Sequence, residues 1–88
     1  MEPMTEEVQV KAPRALTFGQ KAVGIKFNPF DPPSVGKMRQ HYADIIDQLN
    51  DLRESTGDPG VKRWCSTAIT QAEIAQMCAV KAITWVTE

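Results

Sequence analysis

Residues 59–85 read PGVKRWCSTAITQAEIAQMCAVKAITW and decide the fold of this 88-residue chain. A helix is predicted to start at Pro59, because Asp58 is a good N-cap residue and proline suits the first helical position. Small and apolar side chains then recur every three or four residues. This seam consists of Val61, Cys65, Ala68, Ala72, Ala75, Ala79, Ala82 and Val86. The spacing predicts one long helix, ending near Trp85, along which another backbone can approach closely.

The remaining sides of this helix are also apolar. Its other apolar side chains, which are expected to point away from the seam, are Ile69, Ile74, Met77, Val80, Ile83 and Trp85. A helix that is apolar on several sides is buried on several sides, and one antiparallel partner helix cannot cover it. We therefore expect copies of the chain to complete the core.

A second long helix is predicted before the turn at residues 55–60, whose STGDPG composition is typical of a loop. It begins near Asp31 or Ser34, with Pro32 in its first turn. A heptad seam is expected to face the other long helix, and it consists of Val35, Met38, Tyr42, Ile45, Leu49 and Leu52. Three aspartates lie off the seam and are expected to be solvated: Asp44, Asp47 and Asp51.

A short helix is predicted further upstream. Thr17 and Gln20 have capping-box spacing, and Gly24 can end a helix of about two turns. Residues 1–15 are predicted to form a flexible N-terminal arm, and residues 16–88 the helical hairpin domain. The predicted fold is therefore all-α: a short N-terminal helix and a long antiparallel helical hairpin, assembling into a compact homo-oligomer.

Composition and charge exclude several classes of protein. A net charge of −1 and a pI near 5.8 argue against a protein that binds polymeric nucleic acid, and no apolar run reaches the ~20 residues of a membrane span. His41 is the single histidine, so we expect no metal site, no cofactor and no catalytic residues. Cys65 and Cys78 would lie about 20 Å apart on one helix, which is too far for a disulfide and suits a reducing cytoplasm.

One segment has the composition of an anion-binding loop. Residues 18–29, FGQKAVGIKFNP, combine Lys21 and Lys26 with Gly24 and Asn28. Lysines supply charge, glycine lets the backbone approach a phosphate, and asparagine can pair with a base edge. Arg63 could add a planar fork for a phosphate. These five residues are the candidate ligand-binding set, although a tight connector and a surface arginine would also explain them.

Two stretches resemble a known family. FGQKAVGIKFNP (18–29) and AITQAEIAQMCAVKAITW (68–85) are similar to motifs of the phage anti-CBASS and anti-Thoeris hairpin proteins, and the resemblance covers roughly residues 16–86. The chain departs from the family pattern at Cys78, where tryptophan is expected, and at residues 30–33. The resemblance implies a compact oligomer, commonly a hexamer, that binds cyclic dinucleotides or trinucleotides between protomers. It implies binding without catalysis.

The predicted function is that of a viral immune-evasion protein in the cytoplasm of an infected bacterial host. It would sequester messengers such as cyclic GMP–AMP without cleaving them, and so block activation of CBASS effectors. The alternative is a phage protein–protein interaction module with no nucleotide ligand, which shares the surplus apolar surface but does not explain the polar set. A general nucleic-acid binder would have to accommodate the acidic second helix.

Overall fold

Three helices make up the described structure. The computed structural model describes residues 15–25 and 30–86, and within them it contains α1 (Phe18–Ala22), α2 (Pro33–Ser55) and α3 (Pro59–Ile83), with no strand. The loop between α2 and α3 is only three residues long, so these helices form an antiparallel hairpin. The all-helical hairpin is confirmed. The predicted arm, up to residue 14, lies outside the described residues.

Local hydrogen bonds define both ends of α1. The Thr17 hydroxyl accepts from the Gln20 N–H at 3.0 Å, and Gln20 Oε1 accepts from the Thr17 N–H at 3.0 Å. At the other end the Gly24 N–H donates to the Lys21 carbonyl and the Ile25 N–H to the Gln20 carbonyl. This Schellman pattern requires a positive φ, which is 67° at Gly24. Both predicted caps are confirmed.

The start of α2 differs by one residue from the prediction. Pro32 is the N-cap residue and Pro33 the first helical residue, whereas Pro32 was expected inside the first turn. The reason is steric, because a residue that precedes proline is driven out of the α region. Pro32 accordingly has an extended backbone, with φ −58° and ψ 143°.

The start of α3 is confirmed and its end is shorter than predicted. Asp58 Oδ1 accepts from the Gly60 N–H at 2.8 Å, and Pro59 is the first helical residue. The helix ends at Ile83 rather than near Trp85. Its last carbonyls are satisfied by Thr84, whose hydroxyl donates to the Val80 carbonyl at 2.8 Å.

The buried core lies where all three helices meet. It consists of Val23, Ala43, Ile46 and Ile69. The predicted seam of α2 is therefore partly wrong: Ile45 and Leu52 are 48% and 49% exposed, whereas Ala43 and Ile46 are fully buried. A heptad seam assumes a single partner helix. Because α2 packs against α1 as well as α3, its buried face is rotated toward the groove between them.

The buried face of α3 is also rotated relative to the prediction. Ile69, which was expected to point away from the seam that contains Cys65, is buried together with Cys65 in the single chain and fills the space where the three helices meet. Other large apolar residues of α3, and Trp85 just beyond its end, have little cover in the single chain, since Trp64, Met77 and Trp85 are 65%, 61% and 66% exposed. The expected surplus of apolar surface is thus present in the described residues.

α1 lies unusually close to α2 at Gly19. A Cβ atom on Gly19 would lie 2.8 Å from the carbonyl carbon of Ala43, so only glycine fits there. The Gly19 N–H also donates to Asp47 Oδ1 at 2.7 Å. Asp47 was expected to be solvated, but it is partly buried because it satisfies a free N–H in the first turn of α1. Asp44 and Asp51 are exposed, as predicted.

Arg53 joins the three helices. Its guanidinium lies 5.4 Å from the centre of the Phe18 ring, donates to Ser66 Oγ at 2.9 Å and donates to Asn50 Oδ1 at 2.7 Å. Its carbonyl accepts from Lys62 Nζ at 2.9 Å. One side chain of α2 thereby contacts both α1 and α3 and fixes their relative position.

Candidate functional site

The structure describes three of the five predicted ligand-binding residues. Lys21 is exposed in the last turn of α1, Gly24 is exposed in the turn that ends it, and Arg63 is exposed on α3. Lys26 and Asn28 lie outside the described residues. Among the described residues, no atom other than those of its chain neighbours lies within 4 Å of the position that a Gly24 Cβ would occupy. The glycine is therefore required by the backbone at the helix end, where φ is 67°.

Lys21 and Arg63 lie at opposite ends of α2. Gln20 Nε2 donates to Gln40 Oε1 at 3.2 Å, which places the end of α1 beside residue 40. The first turn of α3 lies beside Arg53, whose carbonyl accepts from the neighbour of Arg63. At about 1.5 Å per residue, the intervening stretch of α2 is roughly 20 Å long. A single chain therefore does not bring these two cations together.

The end of the hairpin that holds Lys21 is cationic. This end comprises the described residues 21–25, 30–40 and 76–86, where α2 begins and the antiparallel α3 ends. Its only acid is Asp31, and its four cations are Lys21, Lys37, Arg39 and Lys81. The sequence signal for this was the excess of bases over acids in residues 11–39. That excess did not single out Arg39, which lies on the inner side of α2 and is only partly exposed.

The opposite end of the hairpin holds an apolar cleft of about 590 Å³. Its walls include Leu49, Leu52, Val61 and Trp64. Arg63 adjoins the cleft, with its guanidinium carbon 5.4 Å from the centre of the Trp64 ring. The volume lies within the ~300–1,000 Å³ typical of ligand pockets. The cleft was not predicted, because its walls come from two helices whose relative rotation the sequence leaves unspecified.

The side chains typical of metal sites and of catalysis are scattered. Among residues 15–25 and 30–86 no three His, Cys, Asp or Glu side chains come together to hold a metal ion. His41 is exposed on α2, and Cys65 and Cys78 are free thiols, the first buried and the second exposed. In the same part of the chain, no helix is both long and apolar enough to span a membrane. The described surface offers cations and apolar side chains, and both suit the binding of a ligand.

Comparison with known proteins assigns the chain to a family. A family model described as "Acb2/Tad1, hairpin domain" matches residues 20–84, about three quarters of the chain. The matched range contains all three described site residues together with Lys26 and Asn28. Neither the comparison with curated proteins nor that with solved structures finds a match. The resemblance found in the sequence is confirmed, and the chain belongs to the Acb2/Tad1 hairpin family, the anti-CBASS and anti-Thoeris sponges.

Proposed function

We propose that this protein is a phage-encoded sponge for cyclic dinucleotides and trinucleotides, including cyclic GMP–AMP. It acts in the cytoplasm of the infected bacterium, holds the messenger without cleaving it, and so keeps CBASS effectors inactive. The observation that carries this proposal is the family match over residues 20–84, because the family consists of cyclic-nucleotide sponges rather than known enzymes.

The charges of the chain are sufficient for such a ligand. A cyclic dinucleotide carries one negative charge on each of two phosphates, so one or two cations per pocket balance it. Lys21 supplies one such cation at one end of the hairpin and Arg63 supplies one at the other, and the sequence offers Lys26 as a further candidate. A protein with a net charge of −1 can therefore bind a cyclic nucleotide while lacking the broad basic surface that polymeric nucleic acid requires.

The pockets lie between protomers. Lys21 and Arg63 lie beside stretches of α2 that are roughly 20 Å apart, so they serve one ligand only when different protomers contribute them, and otherwise they serve two kinds of pocket. Assembly is supported by the exposed apolar side chains Trp64, Met77 and Trp85. We propose a homo-oligomer, most simply a hexamer, in which the small residues of α3 let neighbouring helices pack closely.

Two substitutions test the assignment of the cations. Calorimetry with cyclic GMP–AMP and with a cyclic triadenylate is carried out on Lys21→Ala and Arg63→Ala, and light scattering checks that the assembly persists. Loss of a charge-assisted hydrogen bond costs about 1.5–3 kcal/mol, or roughly ten- to a hundredfold in affinity. At least one variant should lose that much for one ligand class. Lys26→Ala extends the same test to the other lysine of the predicted ligand-binding set.

Lys62→Ala is the matched control, because it removes a neighbouring positive charge from α3 and should leave both affinities within about twofold. Unchanged affinities in Lys21→Ala, Lys26→Ala and Arg63→Ala, with the assembly intact, would contradict the site assignment. Absence of any cyclic-nucleotide binding to the unaltered protein, together with capture of a protein partner on the apolar surface, would favour the interaction module instead.

A further inference from the structure

Arg39 has a polar atom that the fold leaves without a partner. The residue lies on α2 between the buried Val35 and Ala43, four positions from each, and is itself partly exposed. Its Nε is sealed from solvent and makes no hydrogen bond. No ion pair joins its guanidinium to a carboxylate within residues 15–25 and 30–86. The chain thus shields part of a cation without supplying the acceptor that this cation needs.

A shielded hydrogen-bond donor on a charged group destabilises the protein unless an acceptor forms a hydrogen bond with it. The aspartates that follow on α2 are already used. Asp44 accepts from Gln40 Nε2 at 2.8 Å, and Asp47 accepts from the Gly19 N–H at 2.7 Å. Among the described residues at this end of the hairpin only Asp31 is acidic, against four cations. The charge balance therefore favours an anion from outside the chain.

We propose that Arg39 is a further phosphate-binding residue of the cyclic-nucleotide site. Its guanidinium donates to the paired oxygens of a phosphodiester at the same end of the hairpin as Lys21, with a side-chain rotation that uncovers Nε for the ligand. The inference rests on the proposed function and adds a residue to its site.

Position and chemistry both support this role. The hydrogen bond between Gln20 and Gln40, at 3.2 Å, joins the residue before Lys21 to the residue after Arg39. The two cations therefore belong to the same junction between α1 and α2. An arginine with a free Nε offers a planar fork that matches two phosphate oxygens, whereas a lysine acts as a point charge. Together they provide one directional and one non-directional contact for a ligand that has two phosphates.

Three variants of the full-length protein test the proposal: Arg39→Met, Arg39→Lys and, as the matched control, Lys37→Met. Lys37 carries the same charge two residues earlier, on an exposed and nearly opposite face of α2, and has no role in the proposed site. Calorimetry measures the affinity for 3′,3′-cyclic GMP–AMP, and thermal unfolding is recorded for the free protein and with inorganic phosphate.

The expected result separates binding from stability. Arg39→Met should unfold at the same or a higher temperature than the unaltered protein, because an unpaired donor is removed, yet bind cyclic GMP–AMP about ten- to a hundredfold more weakly. Arg39→Lys should recover only part of that loss. Lys37→Met should bind within about twofold of the unaltered protein.

The opposite pattern overturns the proposal. Lower thermal stability or a smaller assembly for Arg39→Met, with unchanged affinity, would mean that Arg39 pairs with a carboxylate of this chain or of a second copy. If the unaltered protein binds no cyclic nucleotide, the proposed function fails separately. Thermal unfolding with inorganic phosphate then tests Arg39 separately. If phosphate raises the unfolding temperature of the unaltered protein but not that of Arg39→Met, the anion site is supported. If phosphate does not stabilise the unaltered protein, the anion site is refuted.

Discussion

Replacement of Gly19 by alanine should loosen the junction between α1 and α2. The added Cβ would lie 2.8 Å from the carbonyl carbon and 3.0 Å from the Cα of Ala43, well inside the ~3.5–4.0 Å of ordinary carbon contacts. Both of these are backbone atoms in the middle of a 23-residue helix, so they cannot rotate away. α1 itself must therefore move off α2, and this lengthens the 2.7 Å hydrogen bond between the Gly19 N–H and Asp47.

The net cost follows from three terms. Overpacking costs about 1–3 kcal/mol, and a weakened hydrogen bond to a carboxylate adds roughly 1 kcal/mol. The higher helix propensity of alanine returns about 1 kcal/mol. We expect the free energy of unfolding to fall by about 2 kcal/mol, which corresponds to roughly 8–16 °C in Tm for a domain of this size.

Gly36→Ala is the matched control for this prediction. Gly36 also lies in a helix, but among the described residues a Cβ there meets no atom within 4 Å beyond its chain neighbours and the nearby backbone of its own helix. The substitution should stabilise the protein by up to about 1 kcal/mol, because only the helix propensity changes. Urea unfolding followed by circular dichroism, at one fixed protein concentration, measures both variants. A Gly19→Ala protein as stable as Gly36→Ala would refute the close approach of α1 to α2.

Substitutions at three further positions test individual features of the fold by urea unfolding. Arg53→Met removes the donors to Ser66 and Asn50 and should cost about 1–2 kcal/mol. Asp58→Ala removes the N-terminal cap of α3 and should cost about 1 kcal/mol. Gly24→Ala forces a left-handed backbone on alanine and should cost about 1–2 kcal/mol, with a smaller loss for Gly24→Asn. A loss below about 0.5 kcal/mol, the range of ordinary surface substitutions, would contradict the role given to that residue.

The helix termini were predictable because capping is local. Thr17 and Gln20 are three residues apart, and Asp58 is followed directly by Pro59, so each signal and its hydrogen bond lie within one turn. The positive φ of Gly24 belongs to the same class, since it follows from the end of a short helix. Where the structure departed from expectation at Pro32, a local steric rule about residues before proline explains the difference.

The buried faces were less predictable because they depend on which helices pack together. The choice between Ile45 and Ile46 as the core residue of α2 is decided by the position of α1, which the periodicity of α2 does not reveal. Contacts between residues far apart in the sequence could not be predicted for the same reason. Gly19 and Asp47, for example, are separated by 28 positions. No pattern within either helix records their hydrogen bond.

The candidate site was also predictable only in part, in its residue types but not in its geometry. The types of residue suited to an anion were recognisable in residues 18–29, because lysine, glycine and asparagine occur together there. The separation of Lys21 from Arg63 along roughly 20 Å of α2 emerged only from the pairing of α1 and α3 with α2. Arg39 lies outside that segment, and its shielded Nε is a consequence of packing.

Recovery of intact ligand is the most direct test of the sponge. The protein is mixed with cyclic GMP–AMP or a cyclic triadenylate, unbound nucleotide is removed by filtration, and the retained protein is heated before mass spectrometry of the released small molecules. We predict that at least one cyclic nucleotide is retained and released with its mass unchanged. Retention of no cyclic nucleotide would contradict sequestration, and a linear product that increases with protein concentration would contradict binding without cleavage.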